Sequence, residues 1–215
     1  SAQKQLVIHY NNLQDYLDGL QKAVKTPYKP FSRLGLDDAN GQPIQINDHV
    51  LQIENEYYSL VRPKQVPIAG ETPSQALENR GIAYVELRAV DVNPYSPIGI
   101  NEDTAGFLEV VALYCLLQDS PALLSDEQDI IEQNQAEVVN RGRAPNAAIM
   151  ENGQSYPIED WCAMHLQRMH PLAKLLNSAY DSTLYTDALK TMMIRVDEVD
   201  ATLSALVVGD TREQG

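Results

Sequence analysis

Apolar side chains recur at helical spacing near the start of the chain, through residues 12–25. Asn11 or Asn12 is a natural N-cap for this helix, and the helix must end before Pro27. The apolar positions are Leu13, Tyr16, Leu17, Leu20 and Val24. Residues 26–47 contain three prolines and an Asn40-Gly41 turn. That segment predicts an extended loop that ends in a hairpin.

Two later segments, residues 50–62 and 82–92, predict β-strands, because a strand turns successive side chains to opposite faces. In the first strand one face carries Gln52, Glu54, Glu56, Tyr58, Leu60 and Arg62, and is rich in carboxylates. In the second strand Tyr84, Glu86 and Arg88 share a face opposite Val85 and Leu87. The proline-rich stretch 93–99 ends this strand.

The rest of the chain is predominantly helical in pattern. A short helical piece is predicted around Pro73–Glu78, and longer helices over residues 101–118, from Ser125 to about Arg141, 157–178 and 182–208. Strands and long helices are therefore segregated along the chain, which predicts an α+β fold. We expect a strand-bearing part over residues 1–100 and a helical region over residues 101–215.

Composition narrows the function classes. The 215 residues include 30 acidic and 16 basic side chains, for a net charge of −14, which argues against nucleic acid as a partner. No stretch is long and apolar enough to predict a membrane span, and no signal peptide is visible. Two cysteines, Cys115 and Cys162, lie in apolar helical patterns and predict buried thiols in a reducing cytoplasm.

Glu86 and Arg88 are the main candidates for chemistry. A carboxylate and a guanidinium in an otherwise apolar strand each need a partner. A structural ion pair would satisfy both groups. Alternatively, Glu86 ligates a divalent cation such as Mg²⁺, whereas Arg88 contacts a phosphate. The spacing leaves both interpretations open.

The glutamates of the first predicted strand add to this picture without deciding it. If the two strands are neighbours, Glu54, Glu56 and Tyr58 extend the polar face of Glu86 and Arg88. The same carboxylates also fit an edge strand protected by charge, or the acid and base of a glycoside hydrolase. The common nucleotide and hydrolase motifs are absent, and the four histidines do not form a zinc-protease pattern.

The segment 50–99 resembles proteobacterial glutamate–cysteine ligases. It contains VLQIENEYYSLVRPKQ and GETPSQALENRGIAYVELRAVDVNPYSPIGI. In that family an IENE-aromatic-Tyr strand, an Arg-Pro-Lys, a Gly-Glu-small-Pro-Ser loop and a Tyr-x-Glu-x-Arg strand follow in the same order. The helical remainder is collinear but less specific.

The resemblance implies a fold and a reaction. The family has antiparallel strands arranged as in glutamine synthetase, followed by a helical region. With ATP and Mg²⁺ it joins the γ-carboxylate of L-glutamate to the amine of L-cysteine through γ-glutamyl phosphate, the first step of glutathione synthesis. The resemblance assigns Mg²⁺ binding to Glu86, contact with the transferring phosphate and nucleotide to Arg88, and one wall of the cysteine pocket to Tyr58.

Family members are more than twice as long as this chain, and most of their metal ligands lie in an N-terminal half that is not present here. We therefore expect the chain to be inactive alone, and its strands to need others from the missing half. Unpaired strand edges predict edge-to-edge dimers. Two alternatives stay open: a non-catalytic interaction module, or another carboxylate–amine ligase of the same superfamily.

Overall fold

The computed structural model describes residue 2 and residues 6–213. Its contacts divide the chain into two compact units, residues 1–90 and residues 91–215. Each unit has its own apolar core. The units are therefore described separately.

The first unit is built on helix α1 (Leu13–Ala23), as the apolar spacing predicts. The side chain of Asn12 accepts a hydrogen bond from the backbone N–H of Asp15 at 2.9 Å, so Asn12 is the N-cap. The helix buries one face in a core that also takes side chains from the following segments. The buried members are Ile8, Tyr16, Leu17, Leu20, Ala23, Leu51 and Leu77.

The region after α1 is less extended than the sequence predicts. A short helix, α2 (Lys29–Leu34), follows with Pro30 in its first turn. At the predicted hairpin the backbone forms an isolated bridge between Asp37 and Pro43. The Asp38 side chain accepts hydrogen bonds from the N–H groups of Asn40 and Gln42, which closes the turn.

The prediction of a strand over residues 50–62 is mostly wrong, because only the end of this segment forms a strand. Residues Glu54–Glu56 form a 3₁₀ turn, and strand β1 spans Val61–Lys64. The Glu54 carboxylate accepts hydrogen bonds from the Ser74 N–H at 2.8 Å and the Ser74 hydroxyl at 2.5 Å. Ser74 lies in the first turn of α3 (Pro73–Arg80), so Glu54 satisfies the start of a helix. Such side-chain bonds compete with strand pairing.

Strand β1 pairs with β2 (Tyr84–Leu87) in an antiparallel two-stranded sheet. The register places Arg62 opposite Glu86 and Lys64 opposite Tyr84. These four side chains share one face of the sheet, because directly paired residues point the same way. The two strands predicted from the sequence are therefore neighbours, over a shorter length.

The second unit packs three long helices against one another: α4 (Glu102–Leu117), α6 (Ile158–Tyr180) and α7 (Leu184–Asp197). Their buried residues form one core, made of Val110, Leu166, Met169, Ala173, Leu176, Tyr185 and Leu189. Asn101 caps α4 by accepting from the N–H of Thr104. The predicted helices 101–118 and 157–178 are confirmed within two residues at each end.

Helix α5 (Ser125–Arg141) lies against a hairpin that the apolar pattern did not predict. Strands β3 (Ala148–Glu151) and β4 (Gln154–Pro157) pair antiparallel. The side chain of Asn134 accepts from the Met150 N–H at 2.8 Å and donates to its carbonyl at 2.7 Å. One asparagine thus fastens the hairpin to α5.

The predicted helix 182–208 is interrupted. Helix α7 ends at Asp197, a 3₁₀ turn occupies Val199–Ala201, and α8 spans Leu203–Glu213. Helices and small antiparallel sheets together confirm the α+β fold class. In the described part of the chain, none of the helices combines the length and apolar character needed to cross a bilayer.

Candidate functional site

The structure brings Tyr58 and Arg88 into contact. The Arg88 guanidinium carbon lies 5.3 Å from the centroid of the Tyr58 ring, within the range of a cation–π interaction. The backbone helps to hold this pair, because the Arg88 N–H donates to the Leu60 carbonyl at 2.8 Å. The Tyr58 side chain is 59% exposed, so the pair lies at the surface of the first unit.

Glu86 lies two residues before Arg88 and faces a different cation. Its Oε2 atom is 3.7 Å from the Nζ atom of Lys64. This oxygen is buried and accepts no hydrogen bond from the described residues. The ammonium therefore supplies charge without a close hydrogen bond. A buried carboxylate oxygen with no donor retains its capacity to bind a cation.

Arg62 lies directly opposite Glu86 on the same face of the sheet. Its side chain is buried, and its guanidinium lies 6.0 Å from the centroid of the Tyr57 ring. Burial raises the pKa of the Tyr16 phenol, and the Arg62 guanidinium lowers it by less. The Tyr10 hydroxyl donates to the Val61 carbonyl at 3.0 Å. This hydrogen bond joins β1 to the segment that precedes α1.

The other two predicted carboxylates, Glu54 and Glu56, accept hydrogen bonds from protein groups. Glu54 accepts from the N–H and hydroxyl of Ser74, and the Oε2 atom of Glu56 accepts from the Gln52 N–H at 2.7 Å. The combined carboxylate surface expected from two long strands is therefore not formed. Among the described residues, the structure has no group of three or more His, Cys, Asp or Glu side chains arranged to hold a metal.

Lys64 is absent from the polar face that the sequence predicts, whereas Arg62 is part of it. Both belong to the Arg62-Pro63-Lys64 segment. The alternation of a strand places Arg62 and Lys64 on one face, but which partner they meet depends on the register with β2. That register is a tertiary property, so it is not encoded in spacing alone.

The cysteines and histidines lie outside this group. Cys115 is exposed, so its predicted burial is wrong; it lies near the end of α4, away from the buried helix face. Cys162 is partly buried, and burial raises the pKa of its thiol. His165 packs on Trp161, with 4.2 Å between the ring centroids, and burial lowers the pKa of its imidazole. His165 is thus a packing residue.

The sequence and the fold assign the chain to a known family. The family model for glutamate–cysteine ligase matches residues 1–138. The chain belongs to the glutamate–cysteine ligase family.

Named relatives agree with this assignment. Glutamate–cysteine ligases of Azotobacter vinelandii and Pseudomonas putida are both 42% identical, over 100% and 99% of this chain. The crystal structure of the Francisella tularensis glutamate–cysteine ligase in complex with AMP covers the whole chain at 36% identity, with a TM-score of 0.92.

A more distant structure shares only the fold. A bifunctional glutathione synthetase of Pasteurella multocida covers 97% of the chain at 16% identity, with a TM-score of 0.61. The matches also show how much of the relatives this chain represents. It spans 40% of the length of the Azotobacter and Pseudomonas putida proteins and 42% of the Francisella chain.

Proposed function

We propose that the chain is part of an ATP-dependent ligase that joins the γ-carboxylate of L-glutamate to the amine of L-cysteine. Family membership and the relatives named as glutamate–cysteine ligases support this activity. The AMP complex of the Francisella relative supports nucleotide binding by the whole enzyme. The single observation that carries the proposal is the group formed by Tyr58, Glu86 and Arg88 on and beside one small sheet.

In this proposal Glu86 supplies one oxygen ligand to Mg²⁺. Its buried Oε2 atom, which accepts no hydrogen bond from the described residues, fits a hard cation that prefers oxygen ligands. When bound, Mg²⁺ neutralises phosphate charge and favours phosphoryl transfer. One carboxylate is too few for the site. Further ligands would come from the part of the longer relatives that this chain does not span.

Arg88 is proposed to contact the phosphate that moves from ATP to glutamate. A guanidinium presents several N–H donors to phosphate oxygens and stabilises the charge that develops during transfer. The Tyr58 ring limits the positions open to this guanidinium. The exposed remainder of Tyr58 would form one wall of the cysteine pocket.

The chain by itself is proposed to be inactive, and its full-length form to act in the cytoplasm in the first step of glutathione synthesis. Residues 1–100 would belong to the catalytic domain, and residues 101–215 to the helical region. A non-catalytic interaction module or a ligase for a different amine would share the fold. Screening of amine substrates with the full-length ligase separates these alternatives.

The test is site-directed substitution in a full-length ligase that contains this chain. We expect Arg88→Ala to lower kcat/KM about 10²- to 10³-fold or more, as when a charge-stabilising donor is removed. ADP release in the presence of glutamate, cysteine and Mg²⁺ measures the loss. Arg168→Ala removes an exposed guanidinium of α6 and serves as the matched control. Full activity of Arg88→Ala would refute the assigned role.

A further inference from the structure

Two cations of β1 flank the Glu86 carboxylate on one face of the sheet. Arg62 is directly opposite Glu86 in the register, and Lys64 is two residues further along β1, opposite Tyr84. Lys64 lies 3.7 Å from Glu86, whereas Arg62 forms no ion pair with it. The carboxylate proposed to bind a metal thus already has a counter-ion within this chain.

The two cations differ in their freedom to move. Arg62 is 4% exposed, and its guanidinium lies 6.0 Å from the centroid of the Tyr57 ring. The Lys64 side chain is 25% exposed and ends in an ammonium on a flexible four-carbon stem. Its contact with Glu86 is longer than a hydrogen bond. Lys64 is therefore the cation that can leave.

We propose that Lys64 occupies Glu86 in the metal-free protein and that a divalent cation gains this carboxylate only by displacing the ammonium. This inference rests on the proposed metal role of Glu86. An ammonium and a divalent cation repel each other at separations of a few ångströms, so both are not stable on one carboxylate oxygen. Lys64 is then the residue that sets how readily the site takes up its metal.

The experiment measures metal binding, not turnover. Mn²⁺ replaces Mg²⁺ in a deuterated, ¹⁵N-labelled full-length ligase that contains this chain, and its paramagnetic broadening of amide NMR signals detects binding. The signals to follow are those of residues 61–64 and 84–88. Removing the ammonium in Lys64→Met should lower the Mn²⁺ concentration for half-maximal broadening about 3- to 10-fold, from the loss of one screened repulsion. Lys64→Arg keeps the charge and should resemble the unsubstituted ligase.

A matched control removes an ammonium from a different ion pair. Lys190 and Asp187 of α7 are 2.7 Å apart, and Lys190→Met should leave the Mn²⁺ titration of residues 84–88 unchanged. The amide spectra themselves show whether each variant is folded. If Lys64→Met is not folded, Lys64→Gln tests the same loss of charge with a polar side chain.

The Glu86→Gln variant separates the proposal for Lys64 from the proposed metal role of Glu86. If Glu86→Gln does not reduce the broadening of residues 84–88, the metal role of Glu86 fails, and the proposal for Lys64 fails with it. If Glu86→Gln reduces the broadening but Lys64→Met needs as much Mn²⁺ as before, or more, only the proposal for Lys64 is overturned.

Discussion

Glu71 illustrates, at the scale of single residues, how the first unit uses its acidic side chains. Its carboxylate accepts hydrogen bonds from Arg80 at 2.5 and 2.9 Å, from Asn79 at 2.9 Å and from the Ile68 N–H at 3.1 Å. The Arg80 hydrogen bonds, and then that of Asn79, hold the pKa of Glu71 at about 2, well below its ordinary value of 4.5. Glu71 therefore connects the loop before α3 to the end of that helix.

Glu71→Gln should show a pH-dependent loss of stability. Because the folded protein holds this carboxyl at a lower pKa than the unfolded chain does, its stabilising effect is complete above pH 4.5. The effect disappears as the pH falls towards 2. Urea unfolding at pH 7 and pH 3 should therefore give a larger difference from the unsubstituted chain at pH 7. Glu78→Gln, at an exposed position of α3, is the control. An equal loss of unfolding free energy in Glu71→Gln at pH 7 and pH 3 would contradict the lowered pKa of Glu71.

The proposed site residues show how far the sequence reaches at this scale. Glu86 and Arg88 became candidates because charged side chains are uncommon in an apolar strand, and the family motif adds Tyr58 as a third candidate. Lys64 and the task of Glu54 were not identifiable. Both depend on contacts between segments that are distant along the chain, from Lys64 to Glu86 and from Glu54 to Ser74. Spacing carries no information on such distances.

At the scale of secondary structure, long helices were predictable and short irregular elements were not. Helix α6 buries apolar residues at helical spacing, which the sequence displays directly, whereas α4 follows an acidic first turn with a run that is apolar on most sides. The break at residues 198–202 contains neither glycine nor proline, so no local signal separates α7 from α8. The hairpin β3–β4 did have a signal, the Asn152-Gly153 pair, which favours a two-residue turn.

The Asn152-Gly153 turn makes a prediction about backbone conformation. Both residues have positive φ, 51° and 74°, as a type I′ turn requires. A Cβ atom at residue 153 would meet nothing within 4 Å. Gly153→Ala should therefore destabilise the protein only because alanine disfavours the positive φ at this position. We expect a loss of about 1 kcal/mol in the free energy of unfolding.

Gly209→Ala is the matched control for the turn. Gly209 lies within α8, also with open space around its Cβ position. Alanine favours a helix by up to about 1 kcal/mol over glycine. The same substitution should therefore stabilise one element and destabilise the other, as measured by urea unfolding. Equal effects at the two positions would refute the backbone argument.

At the scale of the whole molecule, the sheet of the first unit is incomplete among the described residues. It has two strands, and one of its faces carries exposed Val61, Val85 and Leu87. The two outer edges are not equivalent. Pro63 lies opposite Val85 and has no N–H, so the outer edge of β1 lacks a donor there. The outer edge of β2 has no such protection and is the edge open to a further strand.

We therefore expect the isolated chain to self-associate through β2. Its net charge of −14 opposes association, so the effect should strengthen with salt, which screens that repulsion. Val85→Lys places a charge on the open edge and should weaken the dimer at least about 10-fold, since charged side chains protect edge strands. Leu175→Lys adds the same charge at an exposed leucine of α6 and should leave the dimer as strong as before. Sedimentation velocity measures the dimerisation of the two variants. A monomeric unsubstituted chain, or equal dimerisation of the two variants, would contradict association through this edge.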